Sequence, residues 1–359
     1  MDEKIAIVAP GAIGGPIAAL LTRSGYNVVL VEQWPDHVEA MRRDGLRVTI
    51  GPREEPEDEF TVDVRAVHVH EACTLRETFD IVLVTCKSYD TRWLVQLIEP
   101  KLAGDGVVVS IQNSLNYEWI APIVGQARTI SCLLTGGGEL LEPGHAWRNR
   151  RLDHHYYTLG ELDGSKTARL DRIAAILGDA GSTGITTNVK AALWTKLVHN
   201  SVSAALSGLV AGKRRSWQLI EMPEFRAVSA QLFREGVDVA IAHDQQLEPL
   251  YDVPTAQLRN ASDDAIAELL SATGGGASKG ATSMVQQDLA RGRPTEVVDY
   301  FSGLLIRKGR EFGLPTPMNE RMVELYRRLE AGELAPGEEN LALFADCTGL
   351  GADQQHTGN

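Results

Sequence analysis

Cysteine, long apolar runs and surplus positive charge are all scarce in this chain, and each scarcity removes a class of protein. Cysteine occurs four times in 359 residues, as Cys73, Cys86, Cys132 and Cys347, with no Cys-x-x-Cys pair. That scatter offers neither a disulfide framework nor a zinc site, so reduced thiols are expected. The longest apolar runs, such as Ile81–Val84 and Val107–Ile111, have the length of strands, far short of the roughly 20 residues of a membrane helix. Met1-Asp2-Glu3-Lys4 leads straight into an apolar segment with no signal-peptide pattern, so a cytoplasmic protein is expected. Thirty-five Lys and Arg stand against 48 Asp and Glu, for a formal charge of −13. A phosphate backbone needs a basic footprint, so nucleic acid is not an expected partner, and neither is a membrane.

What is present suits two domains of ordinary size. Lys4–Val8 reads as a strand ending in the glycine-rich turn Ala9-Pro10-Gly11-Ala12-Ile13-Gly14-Gly15. An Ala/Leu-rich helix follows to about Arg23, closed by Ser24-Gly25, and Asn27–Val31 is a second strand. Further strands are expected at Leu46–Ile50, Phe60–His68, Ile81–Thr85 and Val107–Ile111, with an acidic loop over Pro52–Glu59 and a helix over Thr91–Leu102. Shorter strands with glycine turns run from Ser131 to Gly160. Helical periodicity then dominates from Asn188 to Arg328, interrupted at Gly274-Gly275-Gly276. The expected fold is an α/β N-terminal Rossmann domain over 1–186 and an all-α domain over 187–335. A fraying tail over 336–359 follows, ending in Asp353 to Asn359.

The turn is an imperfect dinucleotide fingerprint, with Ala9 in place of its first glycine. Its context strengthens it: it follows a strand, opens a helix and precedes a second strand ending in an acid. Gly11 lets the backbone approach a pyrophosphate, Gly14 lets helix and strand pack closely, and the helix N-terminus, with Ala12 and Ile13, draws the phosphate charge. Ala9 is compatible with this turn if its φ is negative. Glu32 lies 18 residues beyond Gly14, where a carboxylate accepts from ribose hydroxyls and repels a 2′-phosphate. Gln33 and Trp34 follow with no arginine close by, so NAD(H) is preferred over NADP(H).

In Trp194-Thr195-Lys196-Leu197-Val198-His199-Asn200, Lys196 and Asn200 share a helix face. A lysine there, partly desolvated, would have a lowered pKa suited to protonating a developing alkoxide. Most helical lysines are merely solvated, so spacing alone carries little.

Taken in order, these residues resemble the ketopantoate reductase (2-dehydropantoate 2-reductase) family from residue 3 to about 330. The marks are Gly11-Ala12-Ile13-Gly14, Val84-Thr85-Cys86-Lys87, Ile111-Gln112-Asn113-Ser114 and Trp194-x-Lys196-Leu197-x-x-Asn200. Ser283-Met284, Gly292-Arg293-Pro294-Thr295-Glu296 and Asp299-Tyr300 complete them. The resemblance implies a 6-phosphogluconate-dehydrogenase-like helical bundle for the second domain. It also implies hydride transfer between nicotinamide and a ketone or alcohol, with the substrate entering against the helical domain. Lys196 would be the general acid and Glu296 the carboxylate that orients substrate and lysine. Asn200 and Ser283 would line the substrate pocket, and Lys87 and Asn113 would lie beside the cofactor.

Three departures qualify the substrate. Ala204 stands where the family often has a second asparagine, so a hydrogen bond to ketopantoate is lost. Ser283 to Glu296 is one residue longer than usual, with Gln286-Gln287 where one Gln is common, and Glu32 replaces a basic residue. The rival readings are a β-hydroxyacid or opine-type dehydrogenase and, from another class, a non-catalytic NAD-binding regulator. No metal is expected: His68 and His70 lack an evident third ligand, and Asp153-His154-His155 is weaker still. His199 reads as a packed or capping residue, and Lys213-Arg214-Arg215 as a solvated basic run. A homodimer through the helical domain is an open expectation, since core packing explains the apolar positions of 216–245 equally well.

Overall fold

The computed structural model describes residues 3–210, 219–249, 259–274 and 282–348. Lys213-Arg214-Arg215, Gly275-Gly276 and the terminal segment from Asp353 lie outside the described residues. The chain divides into two compact units, the first running to Lys190 and the second beginning at Ala191.

In the first unit, strands β1 (Lys4–Val8), β2 (Asn27–Glu32), β5 (Arg65–His68), β6 (Phe79–Val84), β7 (Leu102–Ser110), β8 (Thr129–Leu134), β11 (His155–Glu161) and β12 (Ser182–Ile185) form one sheet, ordered β12-β11-β8-β7-β6-β1-β2-β5. All neighbours are parallel except β8 and β11. The chain moves outward from β1 to β2 and β5, then returns to β6 on the other side of β1. This reversal is the doubly wound switch point, where such sheets bind ligands. Ile5 and Ile7 belong to one apolar cluster, Ala6 and Val8 to another. Both faces of β1 are therefore covered, which explains its unbroken apolar sequence.

Helix α1 (Gly14–Arg23) is buried from Gly14 through Leu21. A second sheet, ordered β4-β3-β10-β9 from β3 (Leu46–Ile50), β4 (Asp58–Val62), β9 (Gly138–Glu142) and β10 (His145–Arg148), packs on it. A Cβ at Gly15 would lie 3.0 Å from that of Ala146. The segment expected as one strand over Phe60–His68 is two strands in two sheets, broken at Asp63-Val64. The helix expected over Thr91–Leu102 ends as α3 (Thr91–Ile98), and Leu102 already begins β7.

The second unit is helical, with α6 (Val189–Val210), α7 (Pro223–Ala242), α8 (Asp263–Gly274), α9 (Met284–Ala290), α10 (Glu296–Tyr300), α11 (Ser302–Glu311) and α12 (Pro317–Glu330). No helix among the described residues is long and apolar enough to cross a membrane. Glu235 on α7 accepts from the backbone N–H groups of Met318 and Asn319 (2.8 and 3.0 Å) and so caps α12, although burial raises its pKa. The stretch Glu338–Thr348, expected to belong to a fraying tail, is instead helical. Its apolar Leu341 and Phe344 are buried, and Asn340 Nδ2 donates to the carbonyl oxygen of Leu209 (3.1 Å).

Ala9 departs from expectation in a way that bears on the turn. Its φ is +55°, not negative. Left-handed backbone costs a non-glycine residue about 1–2 kcal/mol. Against that, alanine restricts the unfolded chain relative to glycine by about 0.4–1 kcal/mol, and its buried methyl contributes about 0.8 kcal/mol. The terms nearly offset, which is why alanine is tolerated here. Ala9→Gly should therefore shift unfolding free energy by less than about 1 kcal/mol, whereas the β-branched Ala9→Val should cost about 2 kcal/mol or more in denaturant melts.

His199 is 3% exposed, edge-on to Phe233, and its Nε2 has no hydrogen-bond partner among the described residues. Burial pushes its pKa from 6.5 down to about 4. Between those pH values the unfolded chain binds a proton that the folded chain refuses. The stability it contributes is whole above pH 6.5 and is lost as pH falls towards 4, a difference of about 3 kcal/mol. Subtracting the pH–stability curve of His199→Met from that of the wild type should isolate this slope. A flat difference would show that His199 does not titrate in this way.

Candidate active site

The residues expected to hold a cofactor collect at the carboxyl ends of β2, β1, β6 and β7. The glycine turn follows β1, Glu32 ends β2, Lys87 lies three residues past β6, and Asn113 three past β7. Two side chains fix the turn. Thr85 Oγ1 lies 3.0 Å from the carbonyl oxygens of both Val8 and Ala9. A Cβ at Gly14 would come within 2.2 Å of that hydroxyl, so glycine is required for the helix to pack on β6. On the other side, buried His37 accepts from the Gly144 N–H at Nδ1 (2.8 Å), which leaves Nε2 to carry the proton, 3.4 Å from the Pro10 carbonyl oxygen. Burial holds the pKa of His37 below 6.5, consistent with a neutral ring.

A Cβ at Gly11 would meet nothing within 4 Å, so the backbone there faces open space, as an approaching pyrophosphate requires. The N-terminus of α1 has no side-chain cap and no acidic residue in its first turn, so it favours an anion. Glu32 is 5% exposed, and its Oε1 accepts from the Gln33 and Trp34 N–H groups at 2.8 Å each. The carboxylate is therefore fixed at the strand end where a ribose would lie. Gln33 Nε2 donates to Asp90 (2.9 Å), and Asp90 also accepts from the exposed Trp93 indole (2.8 Å). The loop after β2 is thereby tied to the loop after β6. Lys87 and Asn113 are both half-buried at this edge.

In the second unit, Lys196 and Asn200 sit one turn apart on α6. This helix is buried on nearly every side: from Ala191 to Val210 the half-buried positions are Asn200, Ser203 and Ser207. Lys196 and Ser207, eleven residues apart, differ by only about 20° around the axis. The accessible polar stripe thus contains Asn200 and Ser207, with Lys196, 8% exposed, at its end. Ser283 joins the stripe. It caps α9 by accepting from the Gln286 N–H (3.2 Å), and its hydroxyl is hydrogen-bonded to that of Ser207 (2.9 Å). Gln286, from the doubled glutamine, closes the capping box and donates to the Ser207 carbonyl oxygen (2.9 Å). Ala204, one turn beyond Asn200, is 8% exposed. Glu296 opens α10 with 2% exposure, beside Thr295, which donates to Glu330 (2.8 Å).

Thr85, Asp90 and Ser207 carry structure here that sequence reasoning did not assign. Ser207 was open to detection as the continuation of the Lys196–Asn200 face. The tie from Asp90 to Gln33 spans 57 residues and had no local signal.

Comparison with known proteins identifies the family. Residues 5–164 match the model of the ketopantoate reductase PanE/ApbA family, and residues 188–330 match that of its C-terminal region. The 2-dehydropantoate 2-reductase of Archaeoglobus fulgidus is 27% identical over 335 residues, covering 92% of this chain and 99% of the relative. The crystal structure of a PanE/ApbA family ketopantoate reductase from Ralstonia eutropha JMP134 superposes with a TM-score of 0.74 at 27% identity, over 92% of this chain and 99% of that one. D-mandelate dehydrogenase, solved with NADH and anilino(oxo)acetate, shares the fold with a TM-score of 0.76 at 20% identity, over 92% and 99%. The chain belongs to the ketopantoate reductase family of oxidoreductases.

Proposed function

We propose that this protein is an NAD(H)-dependent reductase of a 2-oxo acid or related ketone, acting reversibly on the corresponding alcohol. The observation that carries the reading is the stripe along α6, where Lys196 and Asn200 share an otherwise buried helix with Ser207 and its partner Ser283. When bound, the reduced nicotinamide supplies the hydride. Lys196 holds a proton at Nζ and gives it to the carbonyl oxygen as negative charge develops there. At 8% exposure Lys196 is largely withdrawn from bulk water, and a charge so placed needs a counter-charge. Glu296, itself buried, is assigned that part and orients the lysine. Asn200 and Ser283 bind the substrate. Ala204 presents a methyl where an asparagine would donate, which favours substrates other than ketopantoate or shifts the range around it.

In the first unit Gly11, Ala12, Ile13 and Gly14 receive the pyrophosphate, while Lys87 and Asn113 hold the dinucleotide at the ends of β6 and β7. Glu32 accepts from the adenosine ribose. Its fixed carboxylate would face a 2′-phosphate with like charge, and this supports NAD(H) over NADP(H).

The test is an assay at 340 nm with NADH and NADPH separately, against ketopantoate, a panel of 2-oxo acids and bulkier ketones. Oxidation of NADH should outpace that of NADPH, and Lys196→Ala should lower kcat by about 10²–10⁴-fold. Turnover with another ketone but not with ketopantoate would keep the mechanism and move the substrate. Turnover unchanged in the alanine variant would exclude Lys196 as the proton donor.

A further inference from the structure

The helices that start at the cofactor end of β6 and β7 begin from side chains suited to capping. They are Asp90 before α3 and Asn116 before α4 (Tyr117–Val124), and neither caps its helix. Asp90 reaches Gln33 and Trp93 instead. Asn116, 1% exposed, turns inward: its Oδ1 accepts from Thr91 Oγ1 (2.9 Å), and its Nδ2 donates to Ser88 Oγ (3.0 Å) and to the Asn113 carbonyl oxygen (2.5 Å). The Thr91 hydroxyl accepts in turn from Gln112 Nε2 (2.8 Å). Gln112 also donates to the Cys86 carbonyl oxygen (3.0 Å) and accepts from Ser110 Oγ (3.0 Å). Ser88, Thr91, Ser110, Gln112 and Asn116 are all at most 5% exposed.

The chain of contacts has a direction. On either side of Lys87, Gln112 grips the backbone carbonyl of Cys86 and Asn116 the side-chain hydroxyl of Ser88, and Asn116 also holds the backbone of Asn113. Between those grips Ser114 sits at φ +69°, a left-handed strain that persists only where neighbours fix it. Thr91 joins the two amide side chains, giving its proton to one and taking a hydrogen bond from the other. We propose that Thr91 is a positioning residue for the nicotinamide half of the cofactor: its hydroxyl locks the loop of Lys87 to the loop of Asn113. The inference rests on the cofactor reading above. With the adenosine at Glu32 on β2, the loops after β6 and β7 serve the opposite half of a dinucleotide lying across the switch point.

Thr91→Val keeps the shape and deletes the hydroxyl. Affinity for whichever of NADH and NADPH the wild type prefers should fall about five- to tenfold by calorimetry. ADP-ribose, or its 2′-phosphate where NADPH is preferred, lacks the nicotinamide and should bind with unchanged Kd. Thr91→Ser should restore dinucleotide affinity. Ser88→Ala cuts one tie and should give a smaller loss of the same kind, which keeps the test available if the valine variant does not fold. Equal losses for both ligands would mean general loosening and overturn the proposal, as would no loss for either. A wild type that binds neither ligand would overturn the cofactor reading itself, and that result is visible before any substitution is made.

Discussion

Where parallel strands end, their carbonyl groups lose their ladder partners, and a buried backbone oxygen left without a donor costs free energy comparable to a lost hydrogen bond. At the edge of this sheet that bears the glycine turn, side chains take up the need. Gln112 serves Cys86 and Asn116 serves Asn113, while the Thr85 hydroxyl, shared between Val8 and Ala9, adds to the N–H groups of Thr85 and Gly11 that those carbonyls already accept. Each donor lies in the loop or helix start after its own or the next strand, so satisfying the backbone also ties the loops together. The ties between these loops thus follow from a requirement of folding, and on the proposed reading they would also serve a dinucleotide whose two halves must be held at once.

The second unit solves a different problem. A helix buried on almost every side would ordinarily carry only apolar residues, yet α6 brings Lys196 nearly out of water beside Asn200, Ser203 and Ser207. Burying such groups is unfavourable unless each finds partners. The serines do so locally: Ser203 donates to the His199 carbonyl oxygen, and Ser207 bonds both Ala204 and Ser283. The polar stripe is therefore compact and leaves the flanking positions free to pack.

Much of this was legible in the sequence because it depends on local rules. The strand–glycine turn–helix–strand order of residues 4–31 follows from β-branched runs and from a glycine that only close packing demands. The break at Asp63-Val64 was not legible, since neither residue is a strong breaker and the two strands part only because separate sheets claim them. The φ of Ala9 was misjudged because residue type reports steric preference, whereas the backbone there is held by Thr85 and by the Ala9 N–H to Val31 bond (2.8 Å). The Thr91, Gln112 and Asn116 constellation spans 21 to 25 residues between partners. Nothing in a polar residue's identity says whether it will be solvated or enclosed. Lys196 and Asn200 were visible as a pair by helical spacing, but their meaning came from the order of several short motifs together.

The contact between Gly14 and Thr85 makes these two positions dependent on each other over evolutionary time. A larger residue at 14 would be admitted only if the hydroxyl at 85 were given up, and the same hydroxyl is what holds the carbonyl of the strained Ala9. Neither site can drift alone without loss, so divergence at this turn must proceed through paired or triple replacements. Among relatives about one-quarter identical to this chain, positions 9, 14 and 85 should therefore vary as a group, while their neighbours change independently.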